Sequence, residues 1–249
     1  MVYQGSKNKL AKYLKPIIEE FLQNKKIYIE PFVGGANLID KIEWAEKIGA
    51  DNNKYLIALH KRAQQMPLPT DKVHTREAYN HMRNIYNKGL SGLGVEDWEI
   101  GYYGFLMSYN GRFFDGGYGV FDKSGRNLFL SRLNNLNKQR ESLNYKNIKF
   151  IHCDFMSCIV EDAVIYLDPP YQNVKQYGKA FDNSRLWDYV RQMGRPGKNN
   201  IILLSELTNP NENEWVEIWN QEYSYSLRDR NNKNKKVIEK LFMWVGKYD

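Results

Sequence analysis

The segment "VIYLDPPYQNV" (164–174) ends an apolar run on a carboxylate, Asp168, and follows it with two prolines and an aromatic ring. A residue that precedes proline is driven toward extended geometry. Asp168 is therefore expected at the very end of a strand, directed into the crevice beyond it. Pro170 carries no N–H, so the chain can turn there without a donor competing for the carboxylate. The Asp168 side chain and the Pro169 carbonyl can then converge as two acceptors on one amino group, with Tyr171 held just beyond to lie against a flat base. The exocyclic amine of adenine is a poor nucleophile because its lone pair is delocalised into the ring. Two acceptors that grip its hydrogens favour a pyramidal nitrogen and stabilise the positive charge that forms during attack. Its partner must be a strong electrophile. A sulfonium methyl fits, and aromatic faces such as Phe32 tolerate a cationic sulfur.

A second cluster lies near the N-terminus. "IYIE" (27–30) reads as a strand and "PFVGG" as a tight loop, which puts Glu30, Phe32, Gly34 and Gly35 at the strand's carboxyl edge. Backbone N–H groups and close approach are available to a ligand there. Asp51 ends the next strand, "KIGAD", about 20 residues on, where an acidic side chain can accept both hydrogens of a ribose diol. Together these point to an adenosine-containing cofactor, although a glycine turn and a surface Asp would read the same from this pair alone. The G-x-G-x-x-G pattern is absent, and neither "GGAN" nor "GSKNK" has phosphate-loop spacing, which disfavours a dinucleotide or ATP.

The elements that must position these residues follow from periodicity. After Ser6, a plausible N-cap, Leu10, Leu14, Ile17, Ile18, Phe21 and Leu22 recur at helical spacing, giving a helix over roughly 7–23. "ANLIDKIEWA" and "KYLIALHKRA" read as helices on either side of the second strand. Further strands are expected at 148–152, 163–168 and 200–205, a helix at "RLWDYVRQM", and a closing hairpin from "YSYSL" and "EKLFMWV". That alternation predicts an α/β fold with a mostly parallel, Rossmann-like sheet and an antiparallel C-terminal hairpin. Over 66–146 the alternation fails. "MPLPT" opens this stretch like a linker, and residues 61–149 hold 14 Lys/Arg against 8 Asp/Glu, nearly all of the chain's net +7. An inserted basic module is indicated. Its aromatics (Tyr102, Tyr103, Phe105, Tyr109, Phe113, Phe114, Tyr118, Phe121) interleave with Arg112, Lys123 and Arg126, a mixture suited to phosphates and stacked bases; a small core with a solvated rim is the plainer reading.

At 249 residues and 42% hydrophobic content the chain can bury a sizeable core. Its basic balance is compatible with a polyanionic partner. Cys153 and Cys158 make no disulfide framework, and with four scattered histidines they do not approach metal-ligand spacing, so no metal is expected. No signal-like or membrane-spanning stretch stands out, and the expectation is a soluble cytoplasmic protein.

"YQGSKNKLAKYL", "IEPFVGGANL", "ADNN", "FIHCDF" and "YLDPPY", in this order, make the chain resemble the Dam-type (D12 class) adenine-N6 DNA methyltransferases. "DPPY" alone is a weak match; five segments in register are specific. The resemblance covers most of the chain. It implies S-adenosylmethionine as cofactor, with Tyr3 and Lys7 bordering it, Phe32, Gly34 and Gly35 around its methionine end, and Asp51 on the ribose. Asp154 looks like the residue that meets the cofactor's adenine, and reads equally as a solvent-facing strand end. Asp168, Pro169, Pro170 and Tyr171 look like the catalytic tetrapeptide, with Asp168 also at the cofactor. The resemblance further implies a discontinuous catalytic domain (1–65 and 147–249) and a target-recognition domain (66–146). Asn110, Arg112, Lys123 and Arg126 are the candidate DNA contacts, Asn110 and Arg112 for base edges because Asn pairs with adenine and Arg with guanine. "NNKNKK" (231–236) could add phosphate contacts or form a solvated tip. The expected partner is double-stranded DNA, bound by a monomer, with a cognate restriction endonuclease as a further possibility and no membrane. The chain reads "YGVFD" where GATC-methylating members have F-N-V-P, and Ala36 where many have another glycine. GATC specificity is thus not implied. An RNA adenine-N6 methyltransferase and a catalytically silent DNA-binding relative are the alternatives.

Overall fold

The computed structural model describes residues 1–90, 92, 94–170, 181–228 and 234–246. The Ser6 side chain accepts the Asn8 N–H and caps a 3-10 turn over Lys7–Lys9. Helix α1 (Ala11–Leu22) follows with Leu14, Ile18 and Leu22 buried along one face. Strands β1 (Ile27–Glu30) and β2 (Glu46–Asp51) precede α2 (Lys54–Gln65), which starts at Asn53 because that side chain accepts the N–H groups of Tyr55 and Leu56. The chain continues through α3 (Arg76–Asn87), α4 (Asp97–Leu106), α5 (Leu128–Glu141) and the single turn α6 (Leu143–Lys146). It then runs through β3 (Ile148–His152), β4 (Ala163–Leu167), α7 (Asn183–Met193), β5 (Ile201–Glu206), β6 (Trp215–Arg228) and β7 (Asn234–Trp244).

The strands form one sheet in the order β3-β2-β1-β4-β5-β7-β6. β1 runs parallel to β2 and β4, β2 to β3, and β4 to β5, whereas β7 is antiparallel to β5 and β6. This is the Rossmann-like sheet with its antiparallel C-terminal hairpin that the sequence predicts. Alternate strand residues face opposite layers. Tyr28, Val164, Tyr166 and Leu203 meet α1, α2 and the middle of the chain, while Ile29, Ile165, Leu167 and Ile202 meet α7.

The helix expected at "ANLIDKIEWA" does not form; residues 37–41 run as turns. Ala36 has φ +53°, outside the helical region, and breaks the register at once. The buried Lys47 ammonium then donates to the carbonyls of Ile39 (3.3 Å) and Ile42 (2.8 Å), satisfying from the side what a further helical turn would satisfy along the axis. Leu38, Ile39 and Ile42 are still buried, so the apolar pattern reports burial and not helix.

The segment 66–146 adds no strand to the sheet among the described residues. Tyr102 and Phe105 of α4, with Phe114 and Phe129, join the same apolar layer as α1 and α2. Of its aromatics, Tyr102, Tyr103, Phe105 and Phe114 are buried, which makes them core, and Tyr109 and Phe121 are exposed. A bridge between Ser108 and Tyr118 closes the loop in which the hairpin signal falls.

Helices α2 and α4 touch at Gly101, where an added Cβ would lie 2.3 Å from the Tyr55 carbonyl oxygen and 3.1 Å from Leu59 Cβ. Gly101→Ala should therefore lower stability by about 1–3 kcal/mol despite alanine's better helix propensity. Denaturant titration of the two proteins checks this; an alanine variant as stable as the parent would contradict the packing.

Candidate active site

Chain order departs in opposite directions from the β1–β4 pair, toward β2 and β3 on one side and β5 on the other. Ligands of open α/β sheets bind outside the carboxyl ends of the strands at such a point. Three acidic residues sit on that edge: Glu30 ends β1, Asp51 ends β2, and Asp168 directly follows β4.

Asp168 Oδ1 accepts a hydrogen bond from Lys7 Nζ at 2.6 Å, and the same ammonium lies 3.3 Å from Glu239 Oε1 of β7. Lys7 and Glu239 are buried, whereas Asp168 keeps 20% of its side chain exposed at the crevice. Burial pushes the Asp168 carboxyl up to about 6; Lys7 pulls it down and Glu239 pushes it up. The balance leaves Asp168 ionised at neutral pH. Burial also pulls the Lys7 pKa down, but Asp168 and Glu239 outweigh it and hold the group well above the ordinary lysine range. Pro169 is buried and Pro170 exposed. Tyr171 lies outside the described residues.

Asp51 presents its carboxylate beside the glycine loop. Its Oδ2 accepts the Gly34 N–H at 3.2 Å and its Oδ1 the Asn53 N–H at 3.0 Å, so each oxygen has one backbone donor and capacity for another. Burial pushes its carboxyl up to about 6, against the backbone N–H groups of Asn53, Gly34 and Asn52, which pull it down. The Val33 N–H donates to the Ala50 carbonyl at 2.8 Å, which ties the glycine loop to β2. Gly34 has φ +47°, and a Cβ there would lie 2.7 Å from the Tyr3 ring, so the loop needs glycine for both reasons. That contact brings Tyr3 to the loop. Burial raises the Tyr3 phenol well above its usual range, with the Asp51 and Asp168 charges adding to it. Gly35 stands against Asn37 and Tyr3, and the Phe32 ring packs on Phe155 at 5.1 Å and Phe181 at 5.7 Å. Glu30, bonded by the Tyr28 hydroxyl at 2.7 Å, is pushed up to about 8 by burial. A cation beside it would draw it back toward ionisation.

Asp154 Oδ1 accepts the Met156 N–H at 2.9 Å, capping a 3-10 turn over Phe155–Ser157, and pairs with Arg185 at 2.9 Å in a partly exposed position. The structure thus gives Asp154 a local partner of its own, apart from the Asp51–Asp168 group. Asn110 is exposed with φ +54°, and Arg112 is half-buried two residues on. Lys123 and Arg126 are exposed on the next turn, where Arg126 lies 3.3 Å from Asp122. These four stand on two turns of the basic segment, and Gly111, between Asn110 and Arg112, packs on the N-terminal stretch of chain, where an added Cβ would lie 2.7 Å from the Val2 carbonyl oxygen. Of "NNKNKK", 231–233 lie outside the described residues.

Two buried groups at the site escape the sequence reading. One is Glu239, a charge at an inward position of the apolar β7 run "VIEKLFMWV", and that placement is the signal that could have found it. The other is His60, on the buried face of α2. Its Nε2 lies 2.8 Å from the Gly34 carbonyl oxygen and its Nδ1 2.8 Å from the Tyr145 hydroxyl, while its ring stacks on Phe150 at 4.5 Å. A carbonyl can only accept, so Nε2 carries the proton and Tyr145 donates to Nδ1. His60 therefore braces the glycine loop from below.

Residues 3–90 match the family model described as D12 class N6 adenine-specific DNA methyltransferase. The chain resembles that family. The matched stretch holds Tyr3, Lys7, Phe32, Gly34, Gly35 and Asp51 and ends before Asp168. Two solved structures align with the chain: a Pyrococcus horikoshii protein assigned as an RNA methyltransferase, 8% identical with a TM-score of 0.41 over 95% of this chain and 83% of that one, and a Haemophilus influenzae protein assigned as a methylase, 10% identical with a TM-score of 0.37 over 95% and 86%. No curated protein matches the chain. The family match supports a methyltransferase, and with it S-adenosylmethionine-dependent chemistry in general. Among the described residues no group of side chains could hold a metal ion, and no helix is long and apolar enough to cross a membrane.

His60 carries a pH prediction. Burial lowers its pKa from 6.5 to about 4, so its contribution to stability is fully present above about 6.5 and is lost as pH falls toward 4. Across that window the parent should lose roughly 3 kcal/mol more than a His60→Gln variant. Denaturation midpoints measured from neutral pH downward check this, and parallel curves for the two proteins would refute it.

Proposed function

We propose that the protein is a site-specific DNA methyltransferase that transfers a methyl group from S-adenosylmethionine to N6 of an adenine turned out of duplex DNA. The observation that carries this reading is Asp168, held by Lys7 at 2.6 Å at the end of β4, on the same sheet edge as the glycine loop and Asp51. The residues present fit the cofactor. Asp51 offers two oxygens, each with one backbone donor, to the ribose hydroxyls, and Tyr3, Phe32, Gly34 and Gly35 would hold the methionine end. The bound cofactor supplies a methyl group on a sulfonium.

Everything else falls to the chain's own groups. Asp168 accepts a hydrogen from the adenine amine, and the Pro169 carbonyl accepts the other. Positive charge growing on that nitrogen is stabilised by the carboxylate more than the resting amine is, which is where rate is gained. Lys7 keeps Asp168 charged in a buried place and orients it, and Tyr171 would stack on the base. Asp154 would meet the cofactor's adenine. Turning the base out of the duplex costs a few kcal/mol, which the basic segment 66–146, as target-recognition domain, offsets through phosphate contacts from Lys123 and Arg126. Asn110 and Arg112 are assigned to base edges. The glycine-bounded turn "YNGR" and its exposed Asn110 favour DNA over an RNA adenine substrate. A cytoplasmic monomer, alone or alongside a restriction endonuclease, fits this reading.

Asp168→Ala should abolish methyl transfer while S-adenosylmethionine binding stays within a few-fold of the parent; labelled-methyl assays on duplex DNA and on RNA in parallel test both the mechanism and the substrate. Normal turnover in the variant, or label in RNA only, would refute the proposal. In the parent, kcat/KM should fall as pH drops through about 6, where Asp168 takes up a proton. Arg112→Ala should relax discrimination at one position by about 1–3 kcal/mol if Arg112 pairs with a guanine; long-read sequencing of DNA from expressing cells reads the outcome, and an unchanged site preference would remove Arg112 from the interface.

A further inference from the structure

Cys153 and Cys158 bracket the 3-10 turn over Phe155–Ser157, between β3 and β4. Both are free thiols, Cys153 half-buried and Cys158 buried, and their sulfur atoms lie 3.6 Å apart. The separation is van der Waals contact, and forming a disulfide brings the sulfurs from there to about 2.05 Å. Methyl transfer uses neither group. A half-buried thiol beside a buried one is an arrangement in which an oxidant meets the first and the second resolves the product.

We propose that Cys153 and Cys158 are a reversible modification site, closing to an intramolecular disulfide on reaction with hydrogen peroxide and loosening the cofactor edge of the sheet as they close. The effect on the cofactor rests on the methyltransferase reading; the bond formation does not. The Cys153 thiolate attacks one peroxide oxygen, the O–O bond breaks, and the departing hydroxide takes a proton to leave as water. Cys153 is then a sulfenic acid. The Cys158 sulfur attacks it, the S–S bond forms, the S–O bond breaks, and the departing hydroxide takes the Cys158 thiol proton to leave as the second water. Two electrons pass from the thiols to the peroxide, and a dithiol reductant returns them. Burial, with Cys153 and Asp154 adding to it, pushes the Cys158 thiol well up, which keeps it from meeting peroxide first and leaves that step to Cys153.

Closure must displace the turn between the two sulfurs. Its ends are held: the Cys153 N–H donates to the Asp51 carbonyl at 3.2 Å, and the Cys158 carbonyl accepts the Tyr189 hydroxyl at 2.8 Å. The movement therefore falls on Asp154–Ser157. That stretch carries Phe155, whose ring supports Phe32 at 5.1 Å, and Phe32 belongs to the glycine loop. Losing that ring contact and tilting the loop should weaken cofactor binding several-fold, up to about tenfold.

The test treats the full protein with hydrogen peroxide, maps its peptides without reduction, and titrates S-adenosylmethionine before treatment, after it, and after dithiothreitol. A linked Cys153–Cys158 peptide, weaker binding while oxidised, recovery on reduction, and unchanged binding by treated Cys153→Ser are expected. Thiols that stay free, or that pass to sulfinic acid with no linked peptide, would overturn the proposal, as would a linked peptide with unchanged affinity. Reduced protein that binds no S-adenosylmethionine would instead sink the methyltransferase reading, and the peptide map would still decide the modification.

Discussion

A lysine ammonium shared by two carboxylates in the interior is the interaction on which the rest of this site depends. Lys7 meets Asp168 at 2.6 Å and Glu239 at 3.3 Å, and the three come from the N-terminal turn, the end of β4 and the C-terminal hairpin. Desolvating a carboxylate favours its neutral form, and a neutral Asp168 would accept weakly from an amine. The lysine offsets enough of that cost to leave the group charged at neutral pH. Glu239 holds the lysine from the far side, so breaking either pair strands a buried charge. The segments that the sequence places farthest apart are thereby fixed to one point of the sheet.

A second set of contacts ties the glycine loop to the same edge. Gly34 donates to Asp51, its carbonyl receives His60, and its missing side chain leaves room for Tyr3. Tyr3 in turn packs on Phe105 of the middle segment at 5.9 Å. On the proposed reading, cofactor loop and target-recognition segment thus share a physical neighbour. The continuous apolar layer through α1, α2 and α4 supports this arrangement, because it leaves the middle segment no separate core on which to move independently.

The strands were legible because parallel strands buried on both faces read as short apolar runs with acidic or glycine ends: "IYIE", "KIGAD" and "AVIYL" each appear in the sheet within a residue of the expected bounds. Asp51 and Asp168 were legible because their place at a strand end follows from what comes next in the chain. The stretch after the glycine loop was not, since its apolar spacing fits a helix while its carbonyls are met from outside it, by Lys47 at Ile39 and Ile42 and by Gln139 at Ala36. Aromatics of the basic segment left two readings open for a related reason: Tyr102 and Phe105 carry the same composition whether they stack on bases or fill a core, and burial decides for the core. Glu239 and His60 were missed because each acts through a partner many residues away, and no local pattern encodes that partner. The sulfur contact between Cys153 and Cys158 depends on how a turn folds back, which spacing alone leaves open.

The claim at the centre is that Lys7 keeps Asp168 ionised within the sheet's crevice. Carbon-13 NMR titration of the Asp168 carboxyl, in the parent and in Lys7→Met, measures it without reference to any substrate. The account predicts an ionisation near 6 in the parent and a clear upward displacement once the ammonium is gone. An Asp168 that titrates at the same pH in both proteins would contradict it.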